Sequence, residues 1–252
     1  MRLQQTGDDV GALRVLEEMR RESHDQSEKI AILVGEATSL TGMGRFAEAE
    51  SRLDEAESMA EDPWVFAMLW LQRTNVLWFA VRWEEALKLI ERTVGTYRAV
   101  LESPEHRDLY ELSRLRLGTL LVEFGRYQEA SPILDEALSF ELTDNEKALL
   151  YFETGTCHYH LGNIESSKHW FLQALSIGCG SYKSVLARYF LGAINFRERK
   201  YAEALTEFQW CEVRLEEGRI APRQLYAWLA KTFRILGDQD QARRYATLKK
   251  VQ

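Results

Sequence analysis

The sequence predicts an all-α protein, an α-solenoid built from antiparallel helix pairs. Three observations predict it. A small residue recurs at positions 12, 49, 86, 130, 167, 204 and 242, at spacings of 37, 37, 44, 37, 37 and 38 residues. Each recurrence opens an apolar pattern with helical rather than strand period. Only four prolines occur in 252 residues, and no stretch is low in complexity, so extensive disorder is not expected.

The recurring segment ends in alanine in its clearest copies. It reads Gly-Arg-Phe-Ala-Glu-Ala up to Ala49, Val-Arg-Trp-Glu-Glu-Ala up to Ala86, Gly-Arg-Tyr-Gln-Glu-Ala up to Ala130 and Arg-Lys-Tyr-Ala-Glu-Ala up to Ala204. Weaker copies end at Ala12, Ser167 and Ala242. A large apolar residue follows four positions on, at Leu53, Ile90, Leu134, Phe171 and Phe208. A small one usually follows three after that, at Ala56, Ala137, Ala174 and Cys211. Steps of four and three keep all of them on one helix face. The small residues let neighbouring axes come close, and the large ones fill the space between.

The helices then follow in order. Second helices are expected near 8–22, 46–60, 83–101, 127–140, 164–177, 201–216 and 239–251, with a first helix before each from the second pair onward. Gly44, Gly125, Gly162 and Gly237 stand at the turns, where a left-handed residue ends a helix. The 44-residue unit has its excess between Thr93 and Leu112, read as a longer second helix to about Leu101. Ser103-Pro104-Glu105 is the start signal after it, serine as cap and proline at the first helical position. Thr143 with Glu146 forms a capping box for the next pair. Too few residues precede Ala12 for a first helix there. The expectation is therefore one solenoid over 1–252, six full pairs after an N-terminal half repeat. The chain starts on a lone capping helix or is part of something larger, and Lys249-Lys250 gives its last helix a polar outer face.

The pattern resembles the tetratricopeptide repeat (TPR) family. That family carries Leu-Gly-x-x-Tyr in the first helix and Gly-x-Tyr-x-x-Ala at the turn. The chain has Leu117-Gly118, Thr154-Gly155 and Leu191-Gly192 at the first site, with Leu121, His158 and Asn195 where tyrosine would stand. Phe46, Trp83, Tyr127 and Tyr201 fill the aromatic slot at the turn. The period departs from the family's usual 34 or so residues, which implies longer helices or an extra turn between units. The resemblance implies a right-handed superhelix whose first helices line a concave groove for a protein or peptide.

Charge and motifs exclude several other functions. The net charge is −7, and the densest basic cluster, Arg243-Arg244 with Lys249-Lys250, reads as a solvated last helix, so no nucleic-acid partner is expected. Cys157, Cys179 and Cys211 form no C-x-x-C pair, and an odd count does not make a disulfide framework. The first nine residues lack an apolar leader core and no apolar run has the length of a membrane span, so a cytoplasmic protein with no membrane partner is expected. Cys157-His158-Tyr159-His160 is the one metal-like string, but its two histidines project about 200° apart on a helix and no metal is expected. Gly178-Cys179-Gly180-Ser181 reads as a turn between repeats, and no phosphate loop or nucleophile elbow occurs. Acidic pairs such as Glu84-Glu85, Asp135-Glu136 and Glu216-Glu217 read as solvated surface. The reading is of a non-enzymatic protein without cofactor.

The register names the residues that the resemblance would place on the groove. The third repeat offers Leu71, Asn75, Trp78 and Phe79, and the fourth Leu115, Arg116, Thr119 and Val122. The fifth offers Phe152, Thr156, Tyr159 and His160, and the sixth Tyr189, Ala193, Phe196 and Arg197. Lys231 and Arg234 follow. The surface would be aromatic in the middle and basic towards its end, suited to an apolar or aromatic segment with an acidic end. The competing account is that the longer helices use these side chains to pack. The carboxylate clamp of chaperone-binding members needs lysines, and Val34, Thr38, Leu71, Asn75, Leu115 and Thr119 occupy the matching positions instead. Three functions remain: a protein- or peptide-binding scaffold, which the reading favours; a ligand- or peptide-sensing module of a larger bacterial regulator; and a structural element that forms a homodimer through its terminal helices.

Overall fold

The computed structural model describes residues 7–218 and 220–251. Residues 1–6, Arg219 and Gln252, all counted in the expected solenoid, lie outside the described residues, as do the side chains of Asp8, Ser181, Lys250 and Val251. Among the described residues the chain is helical and forms no strand. In order, the helices are α1 (Gly7–Glu22), α2 (Gln26–Gly42), α3 (Phe46–Met59), α4 (Pro63–Phe79), α5 (Trp83–Thr96), α6 (Arg98–Leu101), α7 (Arg107–Glu123), α8 (Tyr127–Ala137), α9 (Asp144–Leu161), α10 (Ile164–Ile177), α11 (Gly180–Arg197), α12 (Tyr201–Glu212), α13 (Leu215–Gly218), α14 (Pro222–Ile235) and α15 (Gln239–Val251). One 3₁₀ turn, Pro104–His106, precedes α7.

The chain divides into two compact units, Met1–Leu121 and Val122–Gln252. The first is built on α1 to α6 and most of α7, with a core that includes Leu13, Leu33, Leu40, Leu53 and Leu69. The second has cores around Phe152, Phe171 and Ile194 and around Phe208, Leu225 and Leu229. In both, first and second helices pack as pairs: α2 on α3, α4 on α5, α9 on α10, α11 on α12 and α14 on α15.

The recurring small residues hold these pairs together. Ala49, Ala86, Ala130, Ser167 and Ala204 are fully buried, as are the large residues four positions on and the small ones after them. A serine can replace the alanine because its hydroxyl has a partner: Ser167 Oγ donates to the Gly155 carbonyl at 2.8 Å. That glycine and Gly192 have a packing purpose. A Cβ on Gly155 would lie 2.8 Å from the Phe171 ring, and one on Gly192 would lie 2.6 Å from the Phe208 ring. The bare first helix is what admits the aromatic ring of the second.

The turns are built alike. The residue after each of these turn residues donates its N–H five residues back: Arg45 to Leu40 at 2.8 Å, Arg82 to Leu77 at 2.9 Å, Lys200 to Asn195 at 2.8 Å and Asp238 to Phe233 at 3.0 Å. The turn residue itself is left-handed. Glycine meets this at Gly44, Gly125, Gly162 and Gly237, but Val81 and Arg199 adopt φ 63° without being glycine. A β-branched side chain is strained there. Val81 is 63 % exposed, so its side chain contributes little packing. Val81→Gly is therefore expected to stabilise the protein by about 0.5–1 kcal/mol, the relieved strain exceeding glycine's extra unfolded-state freedom. Denaturant melts of the two proteins check this; an unchanged or lower midpoint would show the strain is absent.

The second helices open on a charged clamp. Arg45, Arg82 and Arg126 each reach the glutamate three residues on, at 2.6 Å for Arg45–Glu48 and Arg82–Glu85 and 2.7 Å for Arg126–Glu129. Arg82 also bridges back to Glu50 on α3 at 2.9 Å. Glu36 stands at the leucine position of the first-helix pattern. It is fully buried there between Arg20 at 3.0 Å and Arg52 at 2.6 Å.

Three expected second helices are shorter than the pattern suggested, the one expected over 127–140 ending at Ala137. The helix expected over 83–101 breaks after Thr96, just past Gly95, and resumes as α6. Glycine inside a helix weakens it by about 1 kcal/mol. The helix expected over 201–216 stops at Glu212, and α13 follows after Arg214. The Thr143–Glu146 capping box forms: Thr143 Oγ1 accepts from the Glu146 N–H, and the Glu146 carboxylate accepts from the Thr143 N–H at 2.9 Å. Pro104 sits at the start of its turn, while Ser103 makes no side-chain cap bond.

Candidate functional site

In the first unit, α1, α2, α4 and α7 surround a pocket of about 350 Å³. Asp9 of α1 lines it together with Thr38, Gln72, Asn75, Phe79 and Arg116. They meet because first helices one repeat apart lie side by side, α4 packing on α2. The threonine hydroxyls are committed to their own helix: Thr38 Oγ1 donates to the Val34 carbonyl at 2.9 Å and Thr41 Oγ1 to Ala37 at 2.6 Å. Asn75 is not. Its Nδ2 donates to Gln72 Oε1 at 3.4 Å, and among the described residues no donor reaches its buried Oδ1. The pocket thus offers an amide acceptor beside the Phe79 ring, with the Arg116 guanidinium in its wall. A second hollow of about 440 Å³ lies between Val34, Met59, Trp64 and Met68, away from these residues.

Not every expected groove residue reaches the surface. Leu71, Thr119, Phe152 and Thr156 are buried, as are Leu115, Val122 and Ala193. They face neighbouring helices, and Thr119 and Thr156 turn their hydroxyls onto the Leu115 and Phe152 carbonyls. These residues support the surface and do not form it. Asn75, Trp78, Phe79, Arg116, Tyr159, Tyr189 and Phe196 are half-buried, and Arg197 is exposed. Trp78 rests against Trp83, ring centroids 6.2 Å apart, and its carbonyl accepts the Trp83 indole N–H.

The second unit carries an aromatic surface on α9, α11 and α14. Tyr159 packs on Phe190 with centroids 4.9 Å apart, and Phe190 stacks on the buried Phe171 at 5.2 Å. Phe196 meets Trp228 edge-on at 5.1 Å. Trp228 stacks on the buried Phe208 at 5.6 Å and donates its indole N–H to the Tyr189 hydroxyl at 3.1 Å. Two cations lie on these rings: the Arg197 guanidinium 4.7 Å from the Tyr159 centroid and the Lys231 ammonium 5.3 Å from that of Trp228. Burial raises the Tyr159 and Tyr189 hydroxyls above their ordinary range. Burial and the Arg197 charge together lower His160, which stacks on Tyr127 at 4.2 Å.

Phe190 and Trp228 were missed in the sequence. They lie fourteen residues before Ala204 and Ala242, the same offset at which Arg116 precedes Ala130. That shared offset was the signal that could have found them.

The reactive residue types have structural partners. His158 sits 3.9 Å from Asp135 and beside the Asn163 amide. Cys157 donates to the Tyr127 carbonyl and Cys211 to that of Val185. Burial pushes the Cys157 thiol up to about 11 and the Cys211 thiol up to about 12, so both stay protonated at neutral pH. Among the described residues no three His, Cys, Asp or Glu side chains are grouped to hold a metal ion, and no helix is long and apolar enough to cross a membrane.

No protein-family model matches the chain, and no curated protein matches its sequence. Solved structures do match in fold. PilF of Pseudomonas aeruginosa is 15 % identical at a TM-score of 0.66, covering 90 % of this chain and 93 % of its own. The C-terminal part of a TPR repeat-containing protein from Cytophaga hutchinsonii is 13 % identical at a TM-score of 0.53, covering 94 % and 88 %. NprR in complex with its cognate peptide NprX is 16 % identical at a TM-score of 0.52, covering 93 % and 69 %.

Proposed function

From a chain with the tetratricopeptide-repeat fold, we propose a protein- or peptide-binding scaffold that uses the exposed face of its first helices and performs no chemistry of its own. The observation that carries the reading is the pocket at Asn75, Phe79 and Arg116. An extended peptide supplies what it lacks: a main-chain N–H for the Asn75 acceptor and a side chain for the Phe79 ring. The peptide-bound NprR structure supports this, since a chain of the same fold holds a peptide. A reducing, cytoplasmic setting suits three free and buried thiols.

The test is capture of partners from native lysate by wild type and by Asn75→Ala with Phe79→Ala. Both residues are half-buried pocket lining, and Phe79 makes no ring contact among the described residues. The expected result is loss of at least about tenfold in captured partner, as for a binding anchor, with the melting curve nearly unchanged. Equal capture by both proteins would remove the pocket from the reading. Trp78→Ala with Tyr159→Ala is a poorer probe, because those rings also pack on Trp83 and Phe190.

A further inference from the structure

We propose that the aromatic surface of α9, α11 and α14 takes a short acidic peptide segment bearing an aromatic side chain, with Arg197 and Lys231 receiving its carboxylates. This rests on the peptide-binding reading and names the class of peptide for the second unit.

Lys168 and Lys200 are paired with Glu198 at 2.7 Å, Arg188 with Glu207 at 3.0 Å, and Lys183 with Glu153. Arg197 and Lys231 have no carboxylate partner among the described residues. Each lies instead on a ring of the first-helix face. A cation held over a ring keeps its outer side open for an anion and has already given up much of its rotamer freedom. The rings are fixed from below: Trp228 by Phe208 and by its bond to Tyr189, Tyr159 by Phe190. Phe196, next to Arg197 in α11, touches Trp228, so the two cations belong to one aromatic surface.

That surface fits a particular occupant. Exposed edges of Tyr159, Phe196 and Trp228 offer room for another aromatic side chain, which anchors well on such rings. The whole protein carries −7, which opposes a long polyanion but not a short segment whose acids sit within a Debye length of two cations. Two cations also fall far short of the basic track that a nucleic-acid backbone needs.

The probe is a panel of fluorescein-labelled octapeptides with two Asp or Glu and one Trp or Phe, beside the same peptides with Asn or Gln. An octanucleotide single strand serves as a third arm. Fluorescence anisotropy is read with wild type, Arg197→Gln with Lys231→Gln, and Arg243→Gln. Acidic peptides are expected to bind wild type at least about tenfold tighter than their amide counterparts, a preference that added salt erodes. In the Arg197→Gln, Lys231→Gln protein the preference falls to within about twofold, and in Arg243→Gln, which removes an exposed cation of α15 outside this surface, it persists. Equal binding of acidic and amide peptides overturns the inference and leaves the scaffold reading standing. Binding of no peptide by any protein sinks both. Tighter binding of the oligonucleotide than of any peptide overturns the choice of partner.

Discussion

Phe208→Ala is expected to cost about 3–5 kcal/mol, the range for emptying a fully buried aromatic site. Phe208 sits against Gly192, beneath Trp228 and beside Tyr189, and is fully buried. Gly192→Ala attacks the same contact from the other side. Its new Cβ would lie 2.6 Å from the ring, so the cost is about 1–3 kcal/mol from overpacking. The two sites are coupled. With Phe208→Leu in place, Gly192→Ala should cost less than it does alone, because leucine does not project a ring edge into that gap. Denaturant unfolding of the four proteins gives the cycle. Strict additivity would mean that the glycine is not there to admit the ring.

Lys183→Met is the second large effect. Lys183 joins the buried Glu153 carboxylate by an ion pair and lies 4.5 Å over the Phe152 ring. Removing it strands a buried charge, for about 3 kcal/mol, the low end for such pairs because the lysine itself is partly exposed. Lys183→Met with Glu153→Met should recover most of the loss, since replacing both partners by packed apolar groups is often neutral. The loss is also pH-dependent. Desolvation and the Glu153 charge raise the Glu123 carboxyl above its ordinary 4.5, while Lys183 lowers it. Without Lys183 it rises further. A carboxyl whose folded value is raised favours the folded state below its unfolded value and loses that benefit as pH climbs through the folded one. The variant should therefore be hurt most near neutrality and less in mild acid. A cost independent of pH across that window would show that Lys183 has no electrostatic role here.

The packing was legible in the sequence to a degree that the binding face was not. Ala49, Ala86, Ala130, Ser167 and Ala204 could be found because burial between helices demands small volume at a fixed interval, and volume is written in residue type. Leu71 and Phe152 show the opposite case. Both are apolar first-helix residues at offsets read as groove, yet both are buried, while Phe190 and Trp228 contribute rings to the surface. Which side of a first helix stays open depends on how its neighbours lean, and that depends on contacts among three helices that no single period encodes. The left-handed turns were half legible. Glycine marks four of them, but Val81 and Arg199 hold the same backbone shape only because the helices on either side impose it.

The local pairing described for each unit has a kinetic consequence. Helices of a unit touch chiefly the next helix and the next but one. Every closure needed to form a pair is therefore short, and short closures lose little chain entropy. Chains with contacts this local fold in a range on the order of microseconds to milliseconds. Their order of assembly is also free: any pair can nucleate, and its neighbours then grow onto it.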